Sequence, residues 1–248
     1  MEYDFLITLT IILFFSAFIH GSIGFGFPMI ATPLLAIFTD LQTAIIYTLI
    51  PTLLVNILSI KSEGSFWEAL KNFYPLAILT TIGSAVGTLL IINFNTDLFK
   101  FILVASILIY LLFDYKRIEM SWIKNNPVKS KTLFGIGSGI IGGLTNVMSA
   151  TLIIYVLESK FTKKQIVQSF NICFIFGKVT QIILFSVSSI YTISEVKSSL
   201  IPLLFIVIAL YFGIKIREKI NPLIYTKIIK IALFVIAIAL FIQTILIY

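Results

Sequence analysis

Lys178 is the residue of this chain whose type and position most demand a chemical explanation. Outside the ends of the apolar stretches, the chain holds one Lys and one His but no Asp or Glu. On a helix at about 100° per residue, one polar arc of roughly 140° comprises Gln168, Asn171, Lys178 and Gln181. A buried ammonium without an acidic partner has the right sign to bind an anion. A structural role, with Lys178 bonding free carbonyls or extending to the membrane surface, is the alternative.

Two glycine-rich stretches interrupt the apolar sequence, one from His20 to Pro28 and one from Gly135 to Gly143. Glycine lets backbone N–H groups approach a ligand, and a half-helix that begins at such a break presents its positive dipole end. Both features favour an anion, whereas hinge or packing glycines are the alternative. Together with nearby hydroxyl and amide groups, the predicted substrate-binding residues are Gly21, Ser22, Gly24, Gly26, Thr32, Asn56, Gly143, Thr145, Asn146, Ser149, Asn171, Lys178 and Gln181.

His20 lies immediately before the first glycine-rich stretch. Imidazole titrates near neutral pH, so His20 is a candidate for proton coupling, with a hydrogen-bonded packing role as the alternative. The chain has one His and one Cys, Cys173, and its interior lacks a carboxylate, so we expect no catalytic acid–base pair, no metal site and no cofactor. The sequence has no P-loop motif for ATP, so any pumping must use an ion gradient or another subunit.

The composition places these residues in a membrane. The 248 residues are 59% hydrophobic and 12% charged with a mean hydropathy of +1.08, whereas soluble domains carry about 25% charged residues. We therefore expect an all-α integral membrane protein surrounded by the lipid bilayer. The net charge of +7 reports membrane orientation first and gives no indication of a nucleic-acid partner.

The apolar stretches recur in two similar halves. Each half reads as a glycine-broken segment followed by three crossings, which predicts one integral domain with two repeats, 1–113 and 132–248, around a polar linker, 114–131. A loop holding Lys61, Glu63, Glu68 and Lys71 is predicted between the first two crossings. The broken segments are Phe5 to Phe38 and Leu133 to Leu157, and the crossings are Leu41 to Ile60, Phe73 to Ile92, Leu98 to Phe113, Ile166 to Ile190, Leu200 to Ile214 and Leu223 to Tyr248.

Basic residues favour the cytoplasmic side of a membrane. With all four basic clusters inside, only 28 residues separate Lys131 from Lys160, too few for two crossings of about 20 residues each. The second broken segment is then a re-entrant hairpin, and the first enters from the opposite face. This arrangement is an inverted repeat of six crossings whose hairpin tips meet near the midplane. Eight crossings, with each broken segment spanning once, is the alternative.

The first glycine-rich stretch, Gly21 to Phe27 continued by Ala31 to Leu35, resembles the first signature of the TauE/SafE sulfite exporter family. Gly142 to Asn146 with Leu152 to Tyr155 is similar to the second signature, and Gly213 to Arg217 with Asn221 and Pro222 resembles the pre-terminal loop. The resemblance implies a multi-pass transporter of the cytoplasmic membrane of a prokaryote. Its substrates would be sulfite, sulfonates, sulfoacetate or related small organic anions.

Two departures from the family pattern fall at the expected binding point. Asn146, Ser149 and Ala150 replace a glycine–proline cluster that is usual in the second signature, and Pro28 stands where a small residue is common. These changes add side chains at the position where the substrate is expected. The resemblance is accordingly more informative about the family than about the anion.

The sequence therefore predicts a secondary transporter that moves a small anion by alternating access. An anion-selective channel or passive exporter with the same fold is the alternative, and a membrane enzyme or a scaffold subunit has less support. The direction of transport, the coupling ion and a homo-oligomeric state are left open by the residues.

Overall fold

The computed structural model describes residues 3–94, 96–116 and 120–217, together with individual residues between 230 and 245. Within these residues every regular element is an α-helix, which confirms the predicted all-α class. The predicted last crossing, Leu223 to Tyr248, lies largely outside the described residues. The helices are α1 (Tyr3–Ile23), α2 (Phe27–Leu35), α3 (Leu41–Glu63), α4 (Phe66–Asn93), α5 (Thr96–Lys116), α6 (Ser121–Asn125), α7 (Pro127–Thr145), α8 (Ser149–Glu158), α9 (Lys163–Val187), α10 (Ile193–Leu200) and α11 (Leu203–Ile216).

Four of the described helices are long and apolar enough to cross a membrane, namely α1, α3, α4 and α9. A fifth candidate is the pair α10 and α11, which bends by 45° between Leu200 and Leu203. A crossing predicted to begin at Leu200 therefore begins at Leu203, after a break that ends at Pro202. Within the first broken segment, α1 alone is 21 residues long, or about 31 Å, which is long enough to cross the membrane.

The predicted loop between the first two crossings is reduced to Gly64 and Ser65. The charged residues assigned to that loop lie on the last turn of α3 and the first turns of α4. Gly64 has a φ of 144°, a backbone conformation that favours glycine, and the Ser65 hydroxyl accepts a 3.2 Å hydrogen bond from the Trp67 N–H. A glycine turn and a serine cap thus replace a predicted loop of twelve residues, 61–72.

The first break turns the chain back toward the end from which it came. Phe5 near the start of α1 lies 5.4 Å from Tyr47 near the start of α3, measured between ring centroids. His20 near the end of α1 is hydrogen-bonded to Ser59 near the end of α3 at 2.8 Å. Helices α1 and α3 are therefore parallel, and α2 with the turn up to Asp40 must return the chain between them.

The second break does the same for α7 and α8. The Phe134 ring near the start of α7 lies 6.1 Å from the Tyr155 ring near the end of α8. At the other end of the pair, a Cβ built on Gly142 would lie 2.8 Å from Met148 Cβ. Helix α8 is thus antiparallel to α7, and both leave the same end of the bundle.

We call that end the basic end, because Lys124, Lys164 and Arg217 all form ion pairs there. Lys164 Nζ lies 2.6 Å from Glu68 Oε1 at the start of α4, and Lys124 Nζ lies 4.0 Å from Glu158 at the end of α8. Arg217, which caps α11, pairs with Glu63 at the end of α3. The α7–α8 pair enters from the basic end and the α1–α2 pair from the opposite end.

The glycines from Gly135 to Gly143 do not break the chain, which corrects the sequence-based expectation. They lie inside α7, and the break comes after them, at Asn146 to Met148. A Cβ on Gly139 would meet the Thr80 carbonyl at 2.3 Å, and a Cβ on Gly143 would meet the Ser84 carbonyl at 2.5 Å. These glycines therefore allow α7 to pack closely against α4, a helix–helix contact that outweighs their low helix propensity.

Candidate functional site

The Lys178 side chain is buried and forms a closed network of hydrogen bonds. Its ammonium donates to Asn146 Oδ1 and to Gln181 Oε1, and 2% of Lys178 is exposed. Gln181 Nε2 donates in turn to the Gly143 carbonyl at 3.2 Å. Asn146 Nδ2 donates to the hydroxyl oxygens of two threonines at 2.6 and 2.7 Å. We name this set the Lys178 network: Thr32, Thr48, the Gly143 carbonyl, Asn146, Lys178 and Gln181.

Asn146 is the residue that joins the network together. It ends α7 with a φ of 67°, a left-handed conformation that asparagine tolerates better than most residues. Its N–H donates to the Gly142 carbonyl at 2.9 Å, so the side chain is not needed to cap its own helix and can bond neighbouring helices. The side chain reaches Thr32 on α2, Thr48 on α3 and Lys178 on α9. One side chain thus connects both broken segments to two long helices.

The electrostatics of the network are unusual for an ammonium at this burial. Within the part of the chain that the structure describes, the hydrogen bonds of Lys178 go to amide oxygens, and no carboxylate forms an ion pair with it. Insertion of a lysine at the centre of a membrane helix costs about 2.5–3.5 kcal/mol on translocon scales. Amide oxygens offset part of this cost, but they leave the positive charge without a counter-charge.

A second group of hydrogen bonds surrounds the first break. We name it the His20 cluster, and its members are His20, Ser59, the Phe27 N–H, Asn171 and the Gly24 carbonyl. The Phe27 N–H donates to His20 Nδ1 at 3.1 Å, and His20 Nε2 lies 2.8 Å from the Ser59 hydroxyl. Because an amide N–H can only donate, Nδ1 must accept, and in the neutral ring Nε2 carries the proton and donates to Ser59. Asn171 Nδ2 donates to the Gly24 carbonyl at 2.7 Å.

The two groups lie at different depths, whereas the sequence predicted that the two tips would meet. Helix α9 contacts the first break through Asn171 and the second through Lys178 and Gln181. Seven to ten residues of helix separate these contacts, which corresponds to about 10–15 Å. The short helices α2 and α8 pass each other between the two levels, where the Ser149 hydroxyl lies 3.3 Å from the Met29 sulfur.

The other predicted site residues either lie outside these two groups or bond the backbone of their own helix. The Ser22 hydroxyl donates to the Phe18 carbonyl at 2.8 Å, and the Thr145 hydroxyl donates to the Ile141 carbonyl at 2.7 Å. Gly21 lies inside α1, where an added Cβ would meet the Leu210 carbonyl at 2.5 Å. Gly26 has a φ of 100° and immediately precedes α2, so it belongs to the break itself.

Several buried polar atoms near the first break have no hydrogen-bond partner among the described residues. They are Asn56 Oδ1, Gln168 Nε2, Asn171 Oδ1 and Arg217 Nη2. Asn171 bonds the first break directly, Arg217 Nε donates to the Gly21 carbonyl at 2.8 Å, and Asn56 lies one turn from Ser59 on α3. Buried polar groups nearly always have a hydrogen-bond partner. The region around the first break therefore holds more buried polar atoms than its internal hydrogen bonds satisfy.

Sequence reasoning missed Thr48, Ser59 and Arg217. On α3 a polar stripe can be read directly from the sequence at helical spacing, and its members are Thr48, Thr52, Asn56 and Ser59. The same arithmetic that identified the arc on α9 would have found it. Arg217 entered the sequence analysis only as a basic residue that reports orientation and as part of the pre-terminal loop resemblance, and its contacts with Glu63 and Gly21 depend on the fold.

A family model described as sulfite exporter TauE/SafE matches residues 9–242. The matched range covers both breaks, the Lys178 network and the His20 cluster. No curated protein and no solved structure gives a significant match. Among the described residues, no group of three or more His, Cys, Asp or Glu side chains is placed to hold a metal ion.

Proposed function

The chain belongs to the sulfite exporter TauE/SafE family of membrane transporters, and we propose that it is a secondary carrier that binds its anion at the Lys178 network. The observation that carries this proposal is the buried ammonium whose hydrogen bonds go to amide oxygens. An anion would supply the counter-charge that these oxygens lack, in a buried site where charge pairing is strong. Substrates with several oxygens around one negative centre, such as sulfite or a sulfonate, match the available donors.

The donors around Lys178 are suited to a small oxyanion. The ammonium can supply up to three N–H bonds, and the amides of Asn146 and Gln181 and the hydroxyls of Thr32 and Thr48 lie within the same network. Helix α8 begins three residues after Asn146 without a side-chain cap, so its positive end is directed at the same region.

Binding would change the connections of Asn146. In this structure the Lys178 ammonium donates two of its three N–H bonds, to Asn146 and Gln181, and we propose that an oxyanion, which accepts more than one N–H, takes the place of the Asn146 oxygen. Release of Asn146 from Lys178 would leave the second break attached to α2 and α3 through Asn146, and to α9 only through the bond from Gln181 to the Gly143 carbonyl. Occupancy of the site would thereby alter the packing of the α7–α8 pair, which is the link that alternating access requires.

An inverted repeat of 1–113 and 132–248 is the architecture through which we propose this movement occurs. Equivalent contacts support it: the Gly24 carbonyl at the first break bonds Asn171 on α9, and Asn146 at the second break bonds Thr48 on α3. Each break is thus attached to the first long helix of the opposite half. The opposite entry of the α1–α2 and α7–α8 pairs is the geometry expected of such repeats.

The closest helix–helix contacts also join one half of the chain to the other. Helix α1 packs against α11, where an added Cβ on Gly213 would meet the Phe18 carbonyl at 2.3 Å. Helix α7 packs against α4, where a Cβ on Gly87 would meet the Ile140 carbonyl at 2.2 Å. In both cases the helix before a break packs on the second long helix of the other half. We assign the basic end to the cytoplasm of a prokaryotic cell, following the distribution of lysine and arginine.

A carrier is favoured over a pore by the burial of the binding groups. Asn146 and Gln181 are fully buried and Lys178 is 2% exposed. A conducting pore requires its selective groups to face an open water path, whereas a carrier passes through states in which the site is closed to both sides. The structure has the burial expected of a closed state.

The proposal is tested with purified protein in liposomes. Wild-type protein should move labelled sulfite or a small sulfonate against its concentration gradient when a proton or sodium gradient is imposed. Lys178→Gln should lower this flux about tenfold or more, because a charge-assisted hydrogen bond is worth about 1.5–3 kcal/mol. Lys163→Gln, which removes an exposed lysine from the start of the same helix, is the matched control.

Two results would overturn the proposal. Unchanged flux in Lys178→Gln would remove the assigned role of that ammonium. Flux that only dissipates a substrate gradient, under every ion gradient imposed, would replace the carrier with a channel.

A further inference from the structure

A cavity lies at the basic end, away from the Lys178 network. It has a volume of about 590 Å³ and is bounded by the first turns of α4, by α6, by the start of α7 and by the chain from the end of α8 to the start of α9. None of its lining residues belongs to the Lys178 network or to the His20 cluster. A four- or five-atom anion would fill only a small part of this volume, so the cavity suits a larger ligand.

The lining combines two cations with an apolar floor. Lys124 and Lys131 contribute the positive charge, and Lys124 has only a long 4.0 Å contact with Glu158. The floor is aromatic: the Phe161 ring lies 5.5 Å from the Phe73 ring and 6.1 Å from the Tyr155 ring. Cations above an apolar floor fit a molecule with a negatively charged head and an apolar remainder.

The cavity lies beside surfaces that face the lipid. On α4, Tyr74 and Ile78 are 54% and 51% exposed, and on α7, Val128 and Leu133 are 74% and 61% exposed. In a membrane-spanning chain, exposed apolar side chains on neighbouring helices contact acyl chains. Trp122 on α6 is 40% exposed beside the lining residues Ile123 and Lys124, as is typical of a side chain at the membrane–water interface.

We propose that this cavity binds the phosphodiester headgroup of an anionic membrane lipid. Lys124 and Lys131 contact the phosphate, the glycerol part lies over Phe73 and Phe161, and the acyl chains extend along the exposed faces of α4 and α7. Basic pockets between membrane helices at the cytoplasmic side are the sites at which such headgroups bind. The bound lipid connects the polar linker at α6 and α7 to the bundle at α4 and α9.

The experiment compares two double variants in a zwitterionic detergent. Lys124→Gln/Lys131→Gln removes both cavity cations, and Lys129→Gln/Lys163→Gln removes two exposed lysines that do not line the cavity. Phosphatidylglycerol is titrated against each protein, and binding is read by native mass spectrometry and by the shift in melting temperature. Wild type and the Lys129/Lys163 variant should bind phosphatidylglycerol equally, and the Lys124/Lys131 variant should lose about tenfold or more in apparent affinity.

Two further arms identify the source of the phosphate. Phosphatidylcholine should give at most weak binding to wild type, and inorganic phosphate should neither raise the melting temperature nor displace phosphatidylglycerol. Equal affinity in both double variants, equal binding of phosphatidylcholine, or displacement by inorganic phosphate would each overturn the proposal. Should the Lys124/Lys131 variant fail to fold, Lys131→Gln alone is titrated, and an affinity for phosphatidylglycerol equal to that of wild type would overturn the proposal.

Discussion

The chain reverses direction at both breaks, but different residues stabilise the two turns. At the first, Gly24 and Gly26 adopt φ values of 103° and 100°, and a neutral imidazole caps the short helix that follows. At the second, Asn146 adopts the left-handed conformation and its side chain bonds an ammonium. The imidazole at the first break bonds a backbone N–H and a hydroxyl, whereas the ammonium at the second bonds amide oxygens and has no counter-charge among the described residues. This difference supports our proposal that the anion binds at the second break.

The comparison also bears on His20. Nδ1 of His20 accepts a hydrogen bond from the Phe27 N–H. Protonation of Nδ1 would place its own N–H against the Phe27 N–H, and two donors cannot bond each other. Proton coupling through His20 would therefore require the first break to rearrange. That hypothesis stays a prediction, and the His20 variants below address the capping role directly.

The largest effect is expected for Lys178→Met. This variant tests whether the two breaks differ in anion binding as we propose. Replacement of the buried ammonium by an apolar side chain of similar length removes a desolvated charge but leaves the Asn146 and Gln181 oxygens without a donor, so the melting temperature of the ligand-free protein should change little. The replacement should abolish the stabilisation produced by sulfite or a sulfonate, which follows mass action in wild type. Thermal-shift titrations measure both quantities, and a full anion-induced shift in Lys178→Met would contradict the assignment of the charge to the second break.

The next effect is expected at Asn146. Asn146→Ala should lower the free energy of unfolding by about 3 kcal/mol, because the variant leaves Lys178 and two threonine hydroxyls short of a partner and adds backbone strain. Asn146→Gly removes the same bonds but accepts the positive φ, so it should recover about 1 kcal/mol of that loss. Equal destabilisation of the two variants in denaturant titrations would show that the backbone conformation contributes nothing.

A smaller effect separates packing glycines from breaking glycines. Gly139→Ala should lower the free energy of unfolding by about 2 kcal/mol, since its Cβ would meet the Thr80 carbonyl at 2.3 Å. Gly137 lies on the same helix with no atom within 4 Å of an added Cβ, so Gly137→Ala should be neutral or stabilise by up to about 1 kcal/mol. Similar melting temperatures for the two variants would indicate that α7 and α4 do not pack closely.

The smallest effect tests the cap at the first break. Asn at position 20 can present Oδ1 where Nδ1 lies, and Gln can present Nε2 where the imidazole Nε2 lies. His20→Asn should therefore retain the Phe27 bond and His20→Gln the Ser59 bond, each at a cost of about 1 kcal/mol relative to wild type. Addition of Ser59→Ala should cost little in His20→Asn and about 1 kcal/mol in His20→Gln. The opposite pattern of melting temperatures would reverse the assignment of the two ring nitrogens.

Helical arithmetic predicted much of the candidate site from the sequence. The four members of the arc on α9, Gln168, Asn171, Lys178 and Gln181, are all buried as expected of an inward face. This worked because a side-chain direction on a long apolar helix depends only on spacing. The connection of Lys178 to Asn146 could not be predicted, since it joins residues 32 positions apart across a break whose location depends on packing.

The position of the second break shows where local reasoning ends. Isolated glycines lower helix propensity, so Gly135 to Gly143 suggested a break at the glycines themselves. Their lack of side chains instead allows backbone contact with α4, and the resulting packing keeps α7 helical up to Thr145. Propensity is a property of the segment alone, whereas the decisive contact comes from residues more than fifty positions earlier in the chain.

The two-residue connection at Gly64 and Ser65 restricts how the molecule can open. The end of α3 and the start of α4 therefore stay adjacent at the basic end. If that end opens during the transport we propose, the contacts of Arg217 that would have to break are its ion pair with Glu63 on α3 and its hydrogen bond to the Gly21 carbonyl on α1. The α3–α4 junction would then be the fixed point relative to which α11 moves.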